Sequence, residues 1–169
     1  MMKNNKIIIS GPPGSGKTTI IHELKNRGYL TQKEINPFDL NRKQTKTQLS
    51  SYIFKKRLDQ YNEVTTRKSA NNDEDISKQL IFFDRSTIDV IAYLNMWNKK
   101  YPLEWDTMIN QYRYMKHVFY TPNWEDIYKE THLRPENYQK AQKIDLFLRQ
   151  AFLKYNYNII EVPKLNINK

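Results

Sequence analysis

Residues Gly11 to Thr18 read G-P-P-G-S-G-K-T, and this spacing, G-x-x-x-x-G-K-T, tolerates one local fold. A short strand must end at the first glycine, and a helix must begin at the lysine. The flanks agree. Lys6 to Ser10, K-I-I-I-S, is an apolar run of the kind a buried strand needs, and Lys17 to Asn26 sets Ile20, Ile21 and Leu24 at helical spacing before Gly28. Glycines let backbone amides turn inward and approach an anion with no Cβ in the way. The helix N-terminus adds partial positive charge. The chain has only 4 glycines, and Gly11, Gly14 and Gly16 all stand in this loop. A chance glycine turn does not explain that concentration. The cradle for a nucleotide's phosphates is therefore Gly11, Pro13, Gly14, Ser15, Gly16, Lys17, Thr18 and Thr19. Lys17 would reach the β- and γ-phosphates, and the Thr18 hydroxyl would ligate Mg²⁺.

The remaining pattern alternates strands with helices. Tyr29–Glu34, Gln79–Asp84, His117–Tyr120 and Asn158–Val162 read as strands. Leu49–Val64, Thr87–Trp97, Trp105–Met115 and Pro135–Tyr155 read as helices, and Asn36–Thr47 and Thr65–Lys78 as polar loops. Such alternation predicts an α/β fold with a mostly parallel sheet covered on both faces, joined by right-handed crossovers. At 169 residues a single domain is expected.

Four further residues are candidates for chemistry. Asp84 closes Q-L-I-F-F-D and would sit beside the phosphate loop as a magnesium partner. An Asp before a helix can instead be a cap, but Ser86 is available for that task. Arg85 follows, placed to grip an anionic group, or to form a surface salt bridge. Glu34, in K-E-I-N-P, could accept a proton from an acceptor hydroxyl; the plainer reading is an exposed glutamate. Arg134 precedes the last helix, where a lid arginine would neutralise a transferring phosphoryl group, unless it is a solvated loop residue. Trp97, Trp105, Trp124 and the tyrosines are read as core rather than as a stacking platform.

Composition narrows the rest. There is no cysteine, which removes disulfides and thiolate metal sites, and His22, His117 and His132 are too scattered for zinc. No apolar run nears the ~20 residues that span a bilayer, so a cytoplasmic protein with no membrane partner is expected. The net charge of +10 is spread widely, and is densest at Arg42, Lys43, Lys46, Lys55, Lys56 and Arg57. It reads as compositional drift or as a polyanion-binding face.

These pieces together resemble the small P-loop kinase-like ATPases of the AAA_28 type, a group similar to the nicotinamide riboside kinase domain and, more distantly, to deoxynucleoside and thymidylate kinases. The matching residues are I-I-I-S-G-P-P-G-S-G-K-T-T with R-G-Y behind it, Glu34, F-D-R-S at Phe83 to Ser86 with Asp89 and Ala92-Tyr93, then Arg113-Tyr114, V-F-Y-T-P-N-W-E-D-I-Y, Arg134 and E-V-P at Glu161 to Pro163. The resemblance implies a three-layer α/β/α P-loop NTPase fold with five parallel strands, similar to the nucleoside monophosphate kinases, with a helical lid at about 122–136. It also implies ATP with Mg²⁺, held by Thr18 and Asp84, and an Asp84–Arg85 pair beside the loop. Thr131 stands where the family often has an acidic residue.

Rival phosphate-loop machines lack their parts. A GTPase switch needs D-x-x-G after the second strand carboxylate, yet no glycine follows Gly28, and Asn98-Lys99-Lys100-Tyr101 lacks the base-reading aspartate. A motor ATPase places a glutamate after the strand-end aspartate; Arg85 stands there. The expected function is magnesium-dependent transfer from ATP to a small nucleoside, nucleotide or similar hydroxyl or phosphate acceptor, with Lys17, Asp84, Arg85, Arg134 and Glu34 in the chemistry. The other function considered is a nucleotide-dependent ATPase that engages nucleic acid through a basic surface.

Overall fold

Five strands alternate with helices in the computed structural model, which describes residues 4–35, 44–66, 78–124 and 138–164. The order is β1 (Lys6–Ser10), α1 (Lys17–Asn26), β2 (Leu30–Gln32), α2 (Lys46–Thr66), β3 (Ile81–Asp84), α3 (Thr87–Met96), α4 (Glu104–Gln111), β4 (His117–Tyr120), α5 (Tyr138–Lys154) and β5 (Asn158–Glu161). All strand pairs are parallel, in the order β2-β3-β1-β4-β5. The result is the three-layer α/β/α P-loop fold. Central strands are buried on both faces, which is why they read as unbroken apolar runs.

The two faces divide the side chains of β1 by parity. Ile8 joins Phe83, Val118 and residues of α2, α3, α4 and α5 in the larger core, whereas Ile7 and Ile9 pack with Phe82 and Ile21 under α1. Phe54 of α2 stacks on Trp105 of α4 with ring centroids 3.9 Å apart, which ties these helices together over one face. Trp105 is core, as its spacing suggested.

Several boundaries differ from expectation, each for a local reason. Helix α2 begins at Lys46, inside what reads as a polar loop, because Thr45 and Gln48 cap it reciprocally: Thr45 N donates to Gln48 Oε1 at 3.0 Å and Gln48 N to Thr45 Oγ1 at 3.2 Å. Helix α4 stops at Gln111 rather than Met115, since Tyr114 N turns to the Tyr157 hydroxyl and Met115 N to the Lys6 carbonyl. Strand β2 shrinks to the three residues that find partners in β3. The polar segments 36–43 and 67–77 and residues 125–137, which hold most of the lid expected at about 122–136 together with Thr131 and Arg134, lie outside the described residues.

Register positions the site. Ile9 lies opposite Asp84, and Ser10 opposite Tyr120. The C-terminal ends of β3, β1 and β4 therefore converge where the chain leaves β1 for the glycine loop. Helix α3 departs from the same edge under a capping box, in which Ser86 Oγ accepts from Ile88 N and the Asp89 side chain accepts from Ser86 N. Such a cap stabilises by about 1 kcal/mol. Ser86 thus performs the capping, and Asp84 is left free of it.

Candidate active site

The phosphate loop is held from β4. A Cβ at Gly11 would lie 2.3 Å from both the carbonyl and the hydroxyl oxygen of Thr121, so only glycine lets the strands close there. Thr121 Oγ1 donates to the Ser10 carbonyl at 3.2 Å and lies 2.5 Å from Ser15 Oγ, which in turn donates to the Pro12 carbonyl. Gly16, at φ 88°, is the N-cap of α1 with no side-chain cap, and no acidic residue occupies the first turn. The amides and the dipole at that helix end remain available to an anion.

Lys17 is folded back into its own loop. It is 5% exposed, and its Nζ donates to the Pro12 carbonyl at 2.8 Å and to Ser15 Oγ at 3.3 Å. Burial, aided by the nearby Arg85 charge, lowers its pKa to about 7, against the pull of Asp84, Glu34 and Asp89. Thr18 and Thr19 face solvent.

Asp84 is 2% exposed, and its Oδ1 is buried with no protein partner. Burial and the Glu34 charge raise its pKa. An orphaned carboxylate oxygen beside the phosphate loop fits a cation or a cation-bound water better than a structural role.

Arg85 takes a left-handed conformation, φ 71°, which costs a non-glycine residue about 1 kcal/mol or more. Its backbone N donates to the Ile9 carbonyl at 3.0 Å, which pins the turn. The guanidinium is buried, donating from Nε to Glu34 Oε1 at 2.9 Å and from Nη1 to Asp89 Oδ1 at 3.5 Å. Burial opposes its charge, but Tyr93, Glu34 and Asp89 hold its pKa above the ordinary arginine value. Glu34 is half-exposed. Partial burial would raise its pKa, but Arg85, Lys17 and Arg57 pull it below the usual carboxylate range.

Lys17, Asp84, Arg85 and Glu34 therefore meet in one place, although they come from α1, β3 and the segments that follow β3 and β2. Beside them a cavity of about 240 Å³ opens between α2 and α3, walled by Glu34, Ile53, Arg57, Arg85, Tyr93 and Trp97 among others. Trp97 was expected in the core and instead lines this cavity. Arg57 was counted with the surface basic cluster and is in fact buried at 2% exposure. Its position was legible in principle: Ser50, Phe54, Arg57 and Val64 recur at i+3, i+4 and i+7, the inward face of α2. Thr121 and Ser10, which donates its hydroxyl to Asp89 Oδ1 at 2.5 Å, stand inside the I-I-I-S-G and V-F-Y-T-P stretches but have no role assigned from sequence.

Known folds agree with this architecture. A deoxyadenosine kinase from M. mycoides, solved with dCMP and dCDP, superimposes with a TM-score of 0.62 at 19% identity over 96% of this chain and 93% of its own. Thymidylate kinase from Candida albicans gives 0.61 at 14% identity over 98% and 87%. The YorR protein from Bacillus subtilis gives 0.56 at 16% identity over 93% and 84%. No curated protein matches the sequence. The AAA_28 family model, described as an AAA domain, matches residues 6–169, and the chain belongs to that family.

Proposed function

We propose that this chain is a kinase that transfers the γ-phosphoryl group of ATP to a hydroxyl of a small acceptor bound in the cavity between α2 and α3. The observation that carries this reading is the junction of that cavity with the phosphate loop. Glu34 and Arg85 wall the cavity, the Arg85 backbone N bonds the Ile9 carbonyl at the end of β1 at 3.0 Å, and the charges of Glu34 and Arg85 act on the pKa of both Asp84 and Lys17. Solved structures of the same fold with nucleotides bound, such as the deoxyadenosine kinase, support the nucleotide reading.

The residues divide the work. Backbone amides from Gly11 to Thr18 and the start of α1 bind the phosphates, and Lys17 swings from Pro12 to the β- and γ-oxygens. The Asp84 carboxylate and the Thr18 hydroxyl would hold Mg²⁺, which when bound neutralises charge building on those oxygens. Arg85, fixed by Glu34 and Asp89, points positive charge at the acceptor side. The acceptor oxygen attacks the γ-phosphorus. The bond from that phosphorus to the bridging oxygen breaks, ADP leaves with the electron pair, and the hydroxyl proton passes to Glu34. A carboxylate held below its usual pKa is a weak base, so Glu34 chiefly orients the hydroxyl and takes its proton late, as a loose transition state permits. Arg134 would complete the charge neutralisation from the lid.

The test is ADP release and product formation across a panel of hydroxyl-bearing acceptors. Glu34→Gln should lower turnover about 10²-fold while keeping the rise in melting temperature that ATP induces. Full turnover in that variant removes Glu34 from the chemistry; no acceptor-stimulated ADP release at all refutes the kinase reading.

A further inference from the structure

The wall of the cavity holds a cation with unfilled donors. Arg57 donates from Nη1 to the Asp84 carbonyl, and its Nε is buried with no partner. Among the described residues no carboxylate pairs with it. A buried donor left unmade is costly, and a guanidinium cannot escape by losing its proton. Arg85, by contrast, is already engaged by Glu34 and Asp89. Resting on the kinase reading above, we propose that the acceptor is an uncharged oxo-heterocycle bearing a hydroxyl, whose ring edge offers a carbonyl oxygen beside a ring-nitrogen lone pair to Arg57.

Three features define that class. The guanidinium edge from Nε to Nη2 presents two parallel donors, which match two adjacent acceptor atoms rather than one. The side walls suit a flat ring: Tyr93 of α3 and Trp97 at its C-cap stand one turn apart, as do Leu49 and Ile53 on α2. Lys46 Nζ sits over the Trp97 ring, 4.9 Å from its centroid. The wall charges of Arg57 and Arg85 are balanced in number by Glu34 and Asp89, so the cavity has no net charge for a charged acceptor to match. A 6-oxopurine (O6, N7) or cytosine (O2, N3) nucleoside satisfies all three. Adenine and uracil offer a donor in place of one acceptor of each pair.

Phosphorylation kinetics with inosine, adenosine, cytidine and uridine, and with inosine 5′-monophosphate, test this on the full chain. Inosine should exceed adenosine, and cytidine uridine, by about tenfold or more in kcat/KM, and the monophosphate should be poor. Arg57→Met should erase both preferences, acting mainly on KM, while the ATP-induced thermal shift persists. Arg57→Lys, which restores charge but not the paired donors, should remain without preference, and it carries the same test if the methionine variant does not fold. Preferences that survive in the variants, or a monophosphate turned over best, overturn the proposal and leave the kinase reading standing. If no acceptor is phosphorylated, the kinase reading fails. Quenching of tryptophan fluorescence by inosine then decides the recognition on its own: loss of quenching in the Arg57 variants supports it, and unchanged quenching refutes it.

Discussion

Replacing Lys17 with methionine should stabilise the ligand-free protein and abolish its response to ATP. The side chain is 5% exposed, and its amine titrates at about 7 instead of the ordinary 10.5. That gap corresponds to about 5 kcal/mol of penalty for holding the charge inside the fold at low pH. Methionine keeps the apolar stem and removes the charge. It also removes hydrogen bonds to the Pro12 carbonyl and to Ser15, which return about 1–3 kcal/mol. The net gain near pH 7 is on the order of 2–4 kcal/mol, a rise in melting temperature on the order of 5–10 °C for a domain of this size. The pH dependence identifies the cause. Between about 7 and 10.5 the unfolded chain binds the proton that the folded chain has released, so the wild type gains stability as pH rises through that window. The advantage of the methionine variant should therefore be largest at or below pH 7 and shrink by about 3 kcal/mol by pH 9. Calorimetry of both proteins from pH 6.5 to 9.5, with and without ATP, measures all of this. A variant less stable than wild type by an amount independent of pH would refute the burial argument. A retained ATP shift would refute the loop assignment.

Three further outcomes are expected. Gly11→Ala should lower stability by about 3 kcal/mol in urea denaturation, because its Cβ meets the Thr121 carbonyl at 2.3 Å in a backbone conformation unsuited to alanine. Asp84→Asn should reduce magnesium-dependent turnover by about 10²-fold or more, while ATP affinity measured in chelator changes by less than about threefold, since the orphaned oxygen is read as serving the metal. ATP affinity should be flat below pH 7 and weaken by up to about tenfold per pH unit above it. Lys17 must regain its proton on meeting phosphate, and titration calorimetry in buffers of different ionisation heat should register proton uptake.

Much of the site was legible because its residues lie next to strand ends. Strands β1, β3 and β4 are short runs with apolar centres, and each ends in or is followed by a polar residue (Ser10, Asp84 and Arg85, Thr121) that burial on both faces forces to the C-terminal edge of the sheet. Asp84 and Arg85 could be placed from that rule alone. Ser86 could be read as the cap, because its hydroxyl precedes an apolar helix with Asp89 in the first turn. Arg57 could not be placed so simply. Its charge places it with Lys55 and Lys56, which are exposed, whereas its helical phase places it with Phe54 and Val64, which are buried. Charge and phase conflict at that position, and the turn around Arg85 resolves the conflict by supplying the Asp84 carbonyl.

The amino-acid sequence by itself determined the phosphate loop, because its function resides in eight consecutive residues whose backbone geometry needs glycine at fixed spacing. It also determined the α/β class, through apolar periodicity that alternates between strand and helix. Only the tertiary structure decided what lies beside that loop. The pairing of Glu34 with Arg85 spans 51 positions, the clamp of Ser15 by Thr121 spans 106, and the cavity joins α2 to α3. Contacts between residues so far apart leave no fixed spacing in the chain; they exist because parallel crossovers bring the strand ends to one edge of a single sheet.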